Sequence, residues 1–234
     1  MTFSRVPGEL QKILNRLKIL AFDTSSSTCS VAIQDGDFIQ SLDKQLPMQQ
    51  AKFILPMIHE LLESTSIKLQ ELNAIAFGAG PGSFTGIRIA SSVAQGLGLA
   101  TGLPLISVSS LAALAQTAYL NYQYEKSVVA VDARTNQVYF AAYQANNGAH
   151  VELIGREELR SIDQVSLPNE NDWYGIGDGW HNYSEGLTDQ AKGLKAIYSS
   201  ISLTARAILM LARVKIDKGE WASALDAHPC YLIR

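Results

Sequence analysis

Short apolar runs separated by polar turns punctuate this 234-residue chain. The runs at residues 19–22, 29–34, 38–41, 74–77, 105–108, 128–131, 138–143, 151–154 and 173–176 predict strands. Residues 51–63 change period: Ile54, Met57, Ile58, Leu61 and Leu62 follow the i, i+3, i+4, i+7, i+8 spacing of a helix with one buried face. Pro56 interrupts that stripe and predicts a kink or a first turn, since its ring excludes the ordinary helical hydrogen bond. Residues 203–217 predict a further helix, with Ser202 as its N-cap and Gly219 just beyond its end.

The pattern also repeats. LAFD (residues 20–23) passes through a short polar turn into CSVAIQDGD, and VAVD (residues 129–132) passes through ARTN into VYFAAYQANNG. Each unit runs apolar strand, terminal aspartate, polar turn, second strand and a hairpin signal, Asp35-Gly36 in one and Asn147-Gly148 in the other. A β-β-β-α-β-α unit used twice predicts an α/β protein of the actin-like (ASKHA, ribonuclease-H-like) class, with two similar lobes and a cleft between them. The expected division is a leader at residues 1–16, a first lobe of residues 17–115 joined by about 216–234, and a second lobe of residues 116–215.

Charge narrows the function classes. The formal net charge is −3 with acids and bases interspersed, so the chain has no basic stripe with which to grip nucleic acid alone. Cys29 and Cys230 are far apart in sequence and form no Cys-x-x-Cys pair, which reads as two reduced thiols of a cytoplasmic protein. The leader carries Pro7, Gly8 and Glu9 where a signal peptide needs an unbroken apolar core. The weakly polar stretch 93–108 is too short to span a bilayer.

Two turns carry candidate phosphate chemistry. After the first strand comes Asp23-Thr24-Ser25-Ser26-Ser27-Thr28, whose hydroxyls either donate to an anion or satisfy the turn's own backbone groups. Asp132 and Arg134 stand in the matching turn of the second half; the arginine either pairs with the aspartate or faces the cleft. The stretch GAGPGSFTG (residues 78–86) feeds a helix, a geometry that favours anions through free amides and the helix dipole. Gly80, Gly82, Ser83 and Thr85 join the candidate site for that reason. No Gly-Lys-Ser/Thr follows, and Ser83 stands where a dinucleotide motif needs its third glycine, so the loop is expected to be a vestige. His59, His150, His181 and His228 include no pair at metal-ligand spacing on a helix. No nucleophile elbow is present either, because Phe84 replaces the closing glycine. The helix after the loop repeats Ala90, Ala94 and Gly98 every four residues, which predicts close packing, either on the chain's own sheet or against another subunit.

GPGSFTGIRIA (residues 80–90) closely resembles the signature of the bacterial TsaB (YeaZ) family. LAFDTSSSTCSVAI, ILPMIHELL, VAVDARTNQVYFAAY, GIGDGW and HPCYLIR are similar, in order, to further segments of that family. The resemblance covers residues 18–234. It implies an actin-like, two-lobed partner subunit without catalysis of its own. Such a subunit pairs with TsaD, which transfers a threonylcarbamoyl group to N6 of adenosine 37 in tRNAs reading codons that begin with A. The TsaE ATPase joins the complex, tRNA is met through it, and the subunit alone forms a homodimer. The implied interface is a helical bundle, which on this chain falls on Ile54, Met57, Ile58, Leu61, Ile87, Ala90, Ser91, Ala94 and Gly98. No metal and no cofactor is required, with weak ATP or ADP binding surviving at the vestigial turns. Two departures stand out: Gln49-Gln50 replaces a histidine common in the family, and the chain stops at Arg234, directly after its Tyr-Leu-Ile-Arg segment. The competing expectations are an actin-like nucleotide-dependent phosphotransferase and, against the histidine spacing, a metallopeptidase.

Overall fold

The computed structural model describes residues 17–146, 150–169 and 171–232. The leader, the Asn147-Gly148 turn and Arg234 lie outside them. Strands β1 (Lys18–Asp23), β2 (Thr28–Asp35) and β3 (Phe38–Gln45) form an antiparallel meander; β4 (Ala74–Gly80) and β5 (Leu105–Ser109) add in parallel, giving the order β3-β2-β1-β4-β5. The second sheet repeats it. With β6 (Lys126–Asp132), β7 (Gln137–Asn146), β8 (His150–Ser161), β9 (Tyr174–Ile176) and β10 (Ala196–Tyr198), its order is β10-β9-β6-β7-β8. The doubled unit is the actin-like fold that the repeat predicts.

Helices α1 (Gln50–Thr65) and α2 (Phe84–Thr101) cover the outer face of the first sheet. Helices α3 (Ser110–Tyr122) and α6 (Ala205–Asp217) pack on each other in the layer between the sheets. Short helices α4 (Gly179–Asn182) and α5 (Thr188–Lys192) belong to the second lobe. Both faces of β1 are therefore buried, and side chains alternate between them: Ile19 and Ala21 join the inter-sheet core, Leu20 and Phe22 the outer one. That is why such strands read as continuous apolar runs.

Several expectations change. Helix α1 continues through Pro56, which is well past its first turn. Thr204, not Ser202, is the N-cap of α6; Thr204 makes no side-chain cap bond, and the amide of Ala205 instead donates to Ser30 Oγ at 2.6 Å. The cap thus comes from β2. Helix α3 shows no polar–apolar stripe because it is buried nearly all round, from Leu111 and Leu114 to Gln116 and Tyr119. Strand β8 runs to Ser161, beyond the apolar 151–154, because it is an exposed sheet edge that tolerates GREELRS. A three-residue 3-10 turn (Ile162–Gln164) is the only helical turn between β8 and β9 among the described residues, so the second lobe lacks the counterpart of α1. The helices also cross between lobes: α3 packs on β6, β7 and β8, while α6, expected in the second lobe, packs on β1, β2, β4 and β5. The expected boundary at 115/116 falls inside α3.

Candidate functional site

A cleft of about 1050 Å³ opens between the lobes, where the turns after β1 and β6 face each other. In the first lobe Asp23 is fully buried. Its Oδ2 accepts from the Ser25 amide at 2.8 Å and from the Ser25 hydroxyl at 2.9 Å. Its Oδ1 has no hydrogen-bond partner and lies against Gly78, where a Cβ would stand only 1.9 Å away. Burial pushes this carboxyl up to about 6, outweighing the two bonds from Ser25. Asp23 is therefore sealed beneath its turn and does not line the cleft.

The turn itself lies on the start of α2. Thr24 Oγ1 donates to the Gly86 carbonyl at 2.7 Å, and the Ser83 amide donates to the Ser25 carbonyl at 2.9 Å. A Cβ on Gly82 would meet Ser25 O at 3.0 Å, and one on Gly86 would meet Thr24 O at 2.0 Å. These glycines admit the close approach of the Thr24–Ser25 backbone. Ser83 caps α2 by accepting from the Gly86 amide at 3.4 Å. Gly80 adopts φ +100, and a Cβ there would lie 3.0 Å from the Cys230 carbonyl. Thr85 is exposed on the cleft wall. Replacing Thr24 with Val removes one buried hydrogen bond, so Thr24→Val is expected to lower stability by about 1 kcal/mol, read as a lower urea midpoint at unchanged slope.

The second lobe arranges its aspartate differently. Asp132 Oδ1 accepts from the Arg134 amide at 2.7 Å and from Tyr183 Oη at 2.8 Å; Oδ2 accepts from Asn182 Nδ2 at 3.1 Å. Partial burial raises its pKa, but these bonds and the Arg134 charge outweigh that and hold it below the usual carboxylate range. The Asp132 amide donates to Asp178 Oδ1 at 2.9 Å. Arg134, Thr135 and Asn136 are three consecutive non-glycine residues at positive φ, a costly backbone that the saturated Asp132 carboxylate holds in place. The Arg134 guanidinium lies 3.7 Å from Asp132 Oδ2 and is 87% exposed, so it both pairs loosely and faces the cleft.

The nine residues expected at a partner interface are a correction. Ile54, Met57, Ile58 and Leu61 are buried in the outer core beneath α1, and Ile87, Ala90, Ser91, Ala94 and Gly98 are buried on α2. The small face of α2 packs on the chain's own sheet, where a Cβ on Gly98 would lie 3.0 Å from Leu105 Cδ2, and the C-terminal segment closes beside it. Ser91 Oγ and Gln95 Nε2 donate to the Ala227 carbonyl at 3.3 and 2.9 Å, and a Cβ on Gly98 would lie 3.1 Å from Ala224 Cβ. The segment closes further at Arg88, whose Nε donates to Tyr231 Oη at 3.0 Å while its guanidinium lies 3.6 Å from the Phe84 ring. No periodicity announced that strap; only the four-residue spacing of small side chains hinted that something would approach closely. The surfaces that α1 and α2 leave open carry Leu55 and Leu99. Among the described residues no three of His, Cys, Asp and Glu stand together in a way that could hold a metal ion.

A family model described as TsaD, tRNA N6-adenosine threonylcarbamoyltransferase, matches residues 48–186. The tRNA threonylcarbamoyladenosine biosynthesis protein TsaB of Haemophilus influenzae is 36% identical over 229 residues, covering 94% of each chain. Its namesake from Escherichia coli is 32% identical over 222 residues, covering 92% of this chain and 94% of the relative. Among solved structures, YeaZ from Pseudomonas aeruginosa superposes with a TM-score of 0.86 at 38% identity, covering 92% of this chain and 100% of that one.

Proposed function

Because this chain belongs to the TsaB (YeaZ) family of tRNA threonylcarbamoyladenosine biosynthesis proteins, we propose that it is the non-catalytic partner subunit of a TsaD-type threonylcarbamoyltransferase. In this reading it acts in the cytoplasm, pairs with TsaD, works with the TsaE ATPase and meets tRNA through the complex. Alone, it associates with a second copy. The observation that carries the reading is the state of the two aspartates. Asp23 is sealed under its turn, and Asp132 is occupied by three donors of its own chain. Neither is free to hold a metal-bound phosphate or to activate a nucleophile. No helix of the described residues is long and apolar enough to cross a membrane.

The test is light-scattering size exclusion of the chain with its cognate TsaD. A heterodimer is expected. Leu55→Glu with Leu99→Glu, both on exposed helix faces, is expected to weaken the complex by about tenfold or more, as a charge set into an apolar contact costs over 1.4 kcal/mol. The melting temperature should hold, because neither leucine is in the core. Absence of a complex would overturn the reading, and so would steady ATP turnover by the isolated chain that Asp23→Ala abolishes.

A further inference from the structure

Away from the cleft, four tyrosine rings stand together at the edge of the second sheet. Tyr124, just past α3, lies 4.1 Å from Tyr174 of β9, 4.8 Å from Tyr198 of β10 and 5.3 Å from Tyr122 at the end of α3, between ring centroids. All three contacts are stacked, with planes 16–23° apart. None of the four rings lines the cleft. Core packing explains three of them. Tyr124, Tyr174 and Tyr198 are half-buried against the inter-sheet core and close it at β10, the outermost strand. Tyr122 lies outside that cluster and is 52% exposed. Its ring neighbours Tyr124 and Tyr198, at 5.3 and 6.3 Å, are only 4.8 Å from each other, so both lie on one side of it. The other face of the Tyr122 ring is the one left to solvent.

We infer that the solvent face of Tyr122 takes an unpaired base of an RNA, which extends the column by one ring. Tyr122 and Tyr198 are already parallel to within 7°, so a further flat ring stacks without rearrangement. Rings this close admit nothing between them, and a ligand adds only at the end. The residues on either side of Tyr122, Asn121 and Gln123, are exposed amides. They suit the hydrogen-bonding edges of a base, whereas an apolar side chain of a protein partner would find no enclosing pocket there. Lys195 stands over Tyr174 at 5.7 Å and is ion-paired with Asp172 at 2.9 Å, so this cation is engaged by its own chain. Stacking, not phosphate charge, therefore carries the contact, in keeping with a net charge of −3 and no basic stripe. The inference rests on the proposed function for the presence of an RNA: the complex supplies most of the grip, and Tyr122 fixes one nucleotide. Helices α1 and α2 cover the first sheet and the column edges the second, so the subunit can hold its partner and the RNA together.

Fluorescence anisotropy tests it, with labelled tRNA on the assembled TsaD complex and labelled oligoadenylate on the full chain alone. Tyr122→Ala should weaken both by about tenfold, the worth of one stacked base. Tyr122→Phe and Tyr122→Trp keep a ring and should restore the affinity. Oligoadenylate should bind the wild-type chain more tightly than oligouridylate, because a purine offers the larger face. The ratio between wild type and Tyr122→Ala should be the same at low and high salt, since stacking is not screened. Tyr122 is exposed, so melting temperature and assembly with TsaD should not change. Equal RNA affinity of Tyr122→Ala and wild type would overturn the site, as would a Phe variant as weak as the Ala variant or a loss that disappears at high salt. Impaired TsaD assembly in Tyr122→Ala with oligoadenylate affinity intact would assign the ring to a protein contact and overturn the RNA reading. If wild type formed no complex with TsaD, the proposed function would fall while the oligoadenylate measurement still decided the stacking face.

Discussion

Gly86→Ala is expected to destabilise the protein by about 4 kcal/mol, lowering its melting temperature by roughly 10 °C. Gly86 is the third residue of α2, where Ala is intrinsically the better helix former by about 1 kcal/mol. Tertiary contact reverses the sign. The new methyl would lie 2.0 Å from Thr24 O, 2.9 Å from Thr24 C and 3.0 Å from Ser25 Cα, all backbone atoms that cannot swing aside. The β1–β2 turn must lift, which breaks the bonds from Thr24 Oγ1 to Gly86 O and from Ser83 N to Ser25 O. Each is worth about 1 kcal/mol, added to an overpacking cost of about 1–3 kcal/mol. Gly96 supplies the control within the same helix: it is exposed, and a Cβ there meets nothing within 4 Å. Gly96→Ala should raise stability by about 0.5–1 kcal/mol. Thermal and urea melts of the two variants should move in opposite directions. A neutral Gly86→Ala would mean that the turn does not sit on α2.

Asp23→Asn is expected to stabilise the protein at neutral pH, by up to about 3 kcal/mol, and to lose that advantage in acid. The native carboxyl titrates near 6, whereas an unfolded chain's aspartate titrates about two units lower. Between those values the native state binds more protons than the unfolded state, so stability falls as pH rises through the window. Below it the carboxyl is protonated in both states and the loss disappears. Asparagine keeps an oxygen for the Ser25 amide and hydroxyl, and it carries no charge into the buried space beside Gly78. Melting temperatures of wild type and variant should separate by several degrees at pH 7.5 and converge below pH 4. A variant less stable than wild type at pH 7.5 would mean that the ionised carboxylate is held by a favourable partner.

The aspartates Asp23 and Asp132 mark what a linear reading can and cannot reach. LAFD and VAVD each place an aspartate at the end of a first strand, and the structure keeps both as the last residues of β1 and β6. Their environments nevertheless diverge. Gly78 lets Asp23 Oδ1 press against bare backbone, while Tyr183 and Asn182 arrive beside Asp132 from α4 and the residue after it. Nothing within either tetrapeptide distinguishes a sealed carboxyl from a partly buried, triply bonded one.

By itself the sequence determined the doubled α/β unit, the strands buried on both faces, and the helical stripe at Ile54, Met57, Ile58 and Leu61. Each is a period or a repeat, and a period is imposed locally by backbone geometry. It shows that a face is buried without saying what buries it. Only the tertiary structure decided that residues 224–227 close beside α2 at Ser91, Gln95 and Gly98, that Ser30 caps a helix 175 residues away, and that α3 and α6 exchange lobes. It also decided that the Thr24–Ser25 turn packs directly against Gly82 and Gly86 of the glycine-rich loop. These outcomes depend on which distant segment arrives, and that choice is made by the packing of the whole chain.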